Sequence, residues 1–231
     1  MPRLRFGQLL MMGLCIPLGC CRPTVSATPT VTARGTTGEE DTPSLAIPSV
    51  TLKAGETLLV SSNDEARDAT VTWNGASMRE DITAHGSCGC YTKIFSLYSA
   101  SGGTGDIVAS HASGGDLSIN AYSITNLAPS ALDKTKAGQG EGTSPASGAT
   151  PITTKAHELL WGVMAYGGNS AVSGVWSDGF TSGGQFSYSG DTGGIEDGYK
   201  TVSSAGAFAA AKTGVTKDCW NAVIATYAIA Q

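Results

Sequence analysis

From residue 44 onward the chain is a succession of short β-branched and aromatic runs, each cut off by a turn signal. Thr70-Val71-Thr72-Trp73 stops at Asn74-Gly75, the dipeptide that most favours a tight hairpin because both residues tolerate positive φ. Thr57–Ser61, Tyr91–Tyr98 and Asp106–Ser110 have the same character, as do Leu117–Ile124, His157–Tyr166, Tyr199–Val202, Ala207–Ala211 and Trp220–Ile229. In Leu117–Ile124 the apolar Leu117, Ile119 and Ala121 alternate with Asn120, a period of two that places them on one strand face. The polar stretch 129–150, with four glycines, reads as a crossing connection, and 167–194 reads as a Gly-rich loop.

Composition strengthens the β assignment. The 31 Gly, 26 Thr and 25 Ser make up 82 of 231 residues, and all three types are poor helix formers. Charged residues are 14% of the chain, against roughly 25% in an average domain. With 14 basic and 19 acidic residues the formal charge is −5, which argues against a nucleic-acid partner.

The first 21 residues read as an export signal. Arg3 and Arg5 precede the mostly apolar run Phe6–Leu18, which is followed by small residues and a cysteine pair. That run is shorter than the about 20 residues a spanning helix needs. Leu18-Gly19-Cys20-Cys21 resembles a bacterial lipobox, so Cys21 or Cys20 is the candidate lipid anchor. Ordinary cleavage after Val25-Ser26-Ala27 is the alternative. Residues 22–43 hold seven Thr, three Pro and no aromatic, and read as a disordered tether. The expected organisation is therefore a leader over 1–21, a tether over 22–43 and one β-sandwich domain over 44–231.

Several segments in order carry a wider likeness: Gly55-Glu56-Thr57-Leu58-Leu59-Val60, Val71-Thr72-Trp73-Asn74-Gly75 and Phe95-Ser96-Leu97-Tyr98. Later come Leu159-Leu160-Trp161-Gly162-Val163, Asp197-Gly198-Tyr199-Lys200 and Trp220-Asn221-Ala222-Val223-Ile224-Ala225. This pattern resembles a widespread group of bacterial secreted β-sandwich modules. The resemblance implies an all-β, antiparallel two-sheet sandwich of jelly-roll type, and it brings no catalytic residues with it.

Chemistry is hard to place. The chain has no Gly-x-Ser-x-Gly elbow, and His85, His111 and His157 are far apart, so no catalytic motif, metal or cofactor is expected. The acid doublets Asp64-Glu65, Glu80-Asp81 and Glu196-Asp197 form no catalytic pair by themselves, since neighbours on a strand face opposite ways, and they read as surface charge near turns. A calcium loop over Asp191–Asp197 lacks the EF-hand spacing. Trp176, Phe180 and Tyr188 lie in the Gly-rich stretch and are the candidate glycan-binding residues; the competing reading is that they pin a long loop. Together these features predict a non-catalytic, exported envelope or surface module, with a glycan-binding module as the alternative and a hydrolase using one carboxylate from each of two distant strands as the less favoured third reading. Its partner would be an extracellular glycan or envelope component, and it would touch the membrane only through its lipid.

Beyond the leader the cysteines are Cys88, Cys90 and Cys219. An oxidising compartment favours a disulfide. Cys88 and Cys90, two apart on a strand, share a face, so either can meet Cys219. A zinc site with His85 as fourth ligand is the weaker alternative.

Overall fold

The computed structural model describes residues 27–231 except 66–67, 87–88, 113, 168–172, 189–192 and 217. The leader and the candidate anchors Cys20 and Cys21 lie outside the described residues. In chain order the strands are β1 (Val31–Glu39), β2 (Ser44–Leu52), β3 (Thr57–Asp64), β4 (Thr70–Trp73), β5 (Ala76–Ser77), β6 (Arg79–His85), β7 (Tyr91–Leu97) and β8 (Gly103–Ser110). There follow β9 (Leu117–Ile124), β10 (Leu127–Gly142), β11 (Glu158–Gly167), β12 (Val175–Trp176), β13 (Thr181–Ser187), β14 (Gly193–Val202), β15 (Lys212–Thr213) and β16 (Asp218–Ile229). Among the described residues every strand pairing is antiparallel.

The antiparallel sandwich expected from the sequence is present. One five-stranded sheet, β1-β9-β3-β7-β6, faces another, β10-β16-β11-β14-β13. Their edges meet at β1 against β13 and at β6 against β10. We call these the central and the lower sheet. A third sheet, β2-β8-β4-β5, covers the other face of the central one, a layer that strand pattern alone does not reveal. The central sheet is thus buried on both sides, and all eight residues of β3 and of β9 are buried.

Alternation sorts the side chains between the layers. Leu58, Val60, Leu117, Ile119 and Ala121 pack with the third sheet against Ile107, Val71 and Trp73. Leu59, Tyr122 and Ile124 point the other way, onto Trp161, Val163, Val223 and Tyr227 of the lower sheet. The outer face of the lower sheet is covered in turn by Trp176, Phe180, Ala210 and Val215, over Leu160, Met164 and Ile224. Burying a large aliphatic or aromatic side chain of this kind stabilises the fold by roughly 1.5–3 kcal/mol.

Local expectations fare differently. Asn74 (φ 47°) and Gly75 (φ 77°) form the hairpin turn between β4 and β5, as the dipeptide requires. The polar stretch 129–150 is largely strand, because β10 runs to Gly142 along β16. Its glycines admit close neighbours: a Cβ on Gly138 would lie 2.2 Å from the Ala146 carbonyl oxygen.

The tether expectation needs correction. Residues 31–39 are not disordered but form β1, an edge strand paired with β9 from Val31↔Ile124 to Glu39↔Leu117. Their polar composition suits a half-exposed edge, and specific contacts hold them. Arg34 Nε donates to Ser123 Oγ at 2.9 Å, and Arg34 Nη2 meets Glu56 Oε2 at 3.2 Å. Gly38 lies flat under Phe186, where a Cβ would come within 2.4 Å of the ring. The folded body begins near residue 31, not 44.

Candidate functional site

The unusual feature of the interior is its acids. Asp64, Glu158, Glu196 and Asp197 are all at most 4% exposed, and the Asp81 side chain is fully covered. The doublet Glu196-Asp197 sits within β14, so its members face opposite ways as strand geometry demands. The expectation that this doublet is surface charge is wrong, because both faces of β14 are covered.

Asp197 points between the central and lower sheets. Its Oδ2 accepts from Asn120 Nδ2 at 2.6 Å and from the Tyr122 hydroxyl at 3.3 Å, both on β9. Its Oδ1 accepts from Trp161 Nε1 on β11 at 3.1 Å and from Ser61 Oγ on β3. Tyr122 in turn accepts from the Gly184 backbone N–H of β13. Tyr199 stacks on Trp161, with ring centroids 5.6 Å apart and planes inclined by 8°. Burial pushes the Asp197 carboxyl up to about 7, against the opposing pull of its four hydrogen bonds. One carboxyl thereby ties four strands of two sheets together.

Glu196 points to the outer face. Its Oε1 accepts from Trp176 Nε1 at 2.6 Å and from Ser182 Oγ at 3.0 Å, while Oε2 meets Lys212 Nζ. The Lys212 ammonium lies over two rings, 5.7 Å from the Trp176 centroid and 5.8 Å from that of Tyr166.

Further acids bind the periphery. Asp81 accepts from Ser96 Oγ at 2.9 Å and from the Tyr227 hydroxyl at 2.8 Å, and Arg79 pairs with it. This joins β6 and β7 of the central sheet to β16 of the lower one. Asp64 faces Lys93 at 3.6 Å, both buried. Burial, with the neighbouring Asp133 carboxylate, pushes Glu158 up to about 7. Burial works against ionisation of Asp133 too, but the Thr154 N–H and Lys134 hold it well below the usual carboxylate range.

The three aromatics singled out for sugar stacking are interior. Trp176, Phe180 and Tyr188 are 8%, 7% and 6% exposed, so none presents a flat face to a ligand. Trp176 stacks on Phe180 at 5.6 Å and lies over Gly198, where a Cβ would come within 2.6 Å of the indole. The loop-pinning reading of these residues is the one the packing supports. A more open groove of about 480 Å³ runs between Thr28–Val31 and β14, lined by the half-buried Tyr199 and Lys200 together with Thr181.

Among the described residues no group of three or more His, Cys, Asp or Glu is placed to hold a metal ion. The calcium loop over 191–197 is not a loop from Gly193 on, since that part is β14, and Asp191 lies outside the described residues. Cys90 is a free, buried thiol, hydrogen-bonded by Asn221 Nδ2 at 3.4 Å, so it is not the partner of Cys219 in this structure. Burial, aided by the nearby Asp64 charge, pushes this thiol up to about 12. Cys88 lies outside the described residues.

Sequence reasoning found Glu196 and Asp197 as a doublet but missed their burial. It also missed Lys212, whose Ala-rich surroundings carry no sign of a buried cation. The one available signal was Asn120, a polar residue inside an otherwise apolar alternation. No protein family, curated protein or solved structure matches the chain.

Proposed function

We propose that this protein is a rigid, non-catalytic module of the bacterial cell envelope or surface, exported by its leader and held by a lipid on Cys21 or Cys20. The observation that supports it best is the way the interior acids are spent. Asp197, Glu196 and Asp81 each have both oxygens engaged by donors of the chain itself, across sheets, in closed surroundings. Such groups cross-brace a scaffold; they do not face a substrate. The leader pattern and the resemblance to bacterial secreted sandwich modules point the same way.

With β1 folded, the segment between Cys21 and the body is the nine residues 22–30. Fully extended it spans at most about 30 Å, so the lipid reading places the sandwich close to the membrane surface.

Fractionation of cells expressing the full chain tests the anchor. The protein is expected in the membrane fraction, released by detergent and not by high salt. Replacing Cys20 and Cys21 together by serine should abolish that behaviour. A wild-type protein recovered wholly from the medium and beginning at Thr28 overturns the lipid anchor. Turnover of a glycan or ester by the purified protein, lost in Asp197→Asn or Glu196→Gln, overturns the non-catalytic reading.

A further inference from the structure

We propose that Glu196 and Lys212 are a self-modification site, at which the Lys212 amine condenses with the Glu196 carboxyl to form an intramolecular amide cross-link. The structure brings the two reacting groups together in a dry site: Lys212 is 1% and Glu196 4% exposed. The walls are Trp176 and Tyr166, both over the Lys212 nitrogen, and the Tyr166 hydroxyl is buried there with no partner among the described residues. Held in contact, amine and acid react as one molecule, an advantage worth effective concentrations of about 10⁵ M or more when alignment is good.

The two carboxyl oxygens are in different environments, and the difference suits acyl transfer. Lys212 Nζ touches Oε2, while Oε1 holds two donors, Trp176 Nε1–H and Ser182 Oγ–H. A proton passes from the ammonium to Oε2, leaving a neutral amine and a neutral acid. The Nζ lone pair then attacks Cδ, and the charge that develops goes to Oε1, where the two donors already point. A second proton moves from nitrogen to Oε2, the Cδ–Oε2 bond breaks, and water leaves. Ammonium plus carboxylate gives amide plus one water, so no oxidant or co-reactant is needed.

The surroundings also favour the product. A buried ion pair carries a desolvation cost that its mutual attraction offsets only in part, whereas an amide carries no charge. Lys212 belongs to the small pair β12–β15, and Glu196 belongs to the lower sheet. The bond would therefore fasten the outer cover covalently to the sandwich.

Mass spectrometry of the purified full chain, reduced and denatured, decides the matter. The expected result is a mass short by one water, with a branched peptide joining the segment that carries Glu196 to the one that carries Lys212. Trypsin should fail to cut after Lys212. Glu196→Gln and Lys212→Arg should lack the branch, and Lys212→Arg keeps a cation for Glu196 so that folding is not the variable. Ser182→Ala should still form the link but about tenfold or more slowly. A wild-type chain at full sequence mass, with Lys212 cleaved normally after long incubation in the folded state, overturns the proposal. So does a one-water deficit without the branch, since an Asp–Gly succinimide has the same mass.

Discussion

Asn120 donates to Asp197 across the gap between two sheets, at 2.6 Å, from the middle of β9 to the middle of β14. Neither residue touches solvent. Removing the donor leaves a buried carboxyl oxygen with only the longer Tyr122 bond, and an under-satisfied buried acceptor costs about 1–3 kcal/mol. Asn120→Ala is expected to lower the unfolding free energy by that margin, read as a lower urea midpoint at an unchanged denaturant slope. A midpoint equal to wild type would mean that water replaces the amide and that the sheets are not tied here.

The buried acids give stability an unusual pH dependence. Asp197 and Glu158 are both raised to about 7 in the folded chain, from ordinary values near 4 in the unfolded one. Between those limits the folded state binds more protons than the unfolded state, so stability falls as pH rises through this window and levels off above it. Asp133, held low, has its effect only in strong acid and stays constant here. Melting temperature should therefore be higher at about pH 5 than at about pH 8. The slope should shrink in Asp197→Asn, which cannot titrate. A wild-type Tm that rises with pH contradicts the assignment.

How much of this was legible follows from what alternation and turn chemistry report. Most strand runs and the Asn74–Gly75 hairpin are local, and the sequence shows them directly. Ala207–Ala211 is the exception, since that segment is irregular up to a single bridge at Ala211 and β15 begins only at Lys212. Which sheet covers which face is not local. Leu117–Ile124 alternates like a strand with one wet side, yet its Asn120 side faces another sheet and an acid 77 residues away. Trp176 and Phe180 read as loop aromatics because their neighbours are Gly and Ser. What lets them lie flat is distant in sequence, since Gly162 on β11 and Gly198 on β14 leave the room the rings occupy. Low hydrophobicity likewise hid β1, whose edge position asks for hydrogen bonds and an ion pair more than for apolar surface.

Docking of β1 can be measured by truncation. A chain beginning at residue 44 lacks the edge strand, leaves β9 unpaired on one side, and strips Arg34 from Glu56 and Ser123. It should melt several degrees below a chain beginning at residue 28, because about 1 kcal/mol moves a domain of this size by roughly 2–4 °C. Gly38→Val should reproduce part of the loss by forcing Phe186 away. Equal melting of the two truncations would return residues 31–43 to the role of a tether.

The cysteines provide the last test. Cys90 is buried, free and pushed up to about 12, so it holds almost no thiolate at neutral pH and should react with iodoacetamide only after unfolding. With Cys90 excluded, Cys88 is the expected partner of Cys219. That bond would close a loop of about 130 residues and constrain the unfolded chain by a few kcal/mol in the chain-entropy picture. Non-reducing peptide mapping of the exported protein should yield a linked peptide pair carrying Cys88 and Cys219. Cys90 should appear alkylated only in the denatured sample. Reduction should then lower the Tm by several degrees, and Cys90→Ser should leave that drop intact. A Cys88–Cys90 peptide with Cys219 alkylated in the native protein would exclude the long loop.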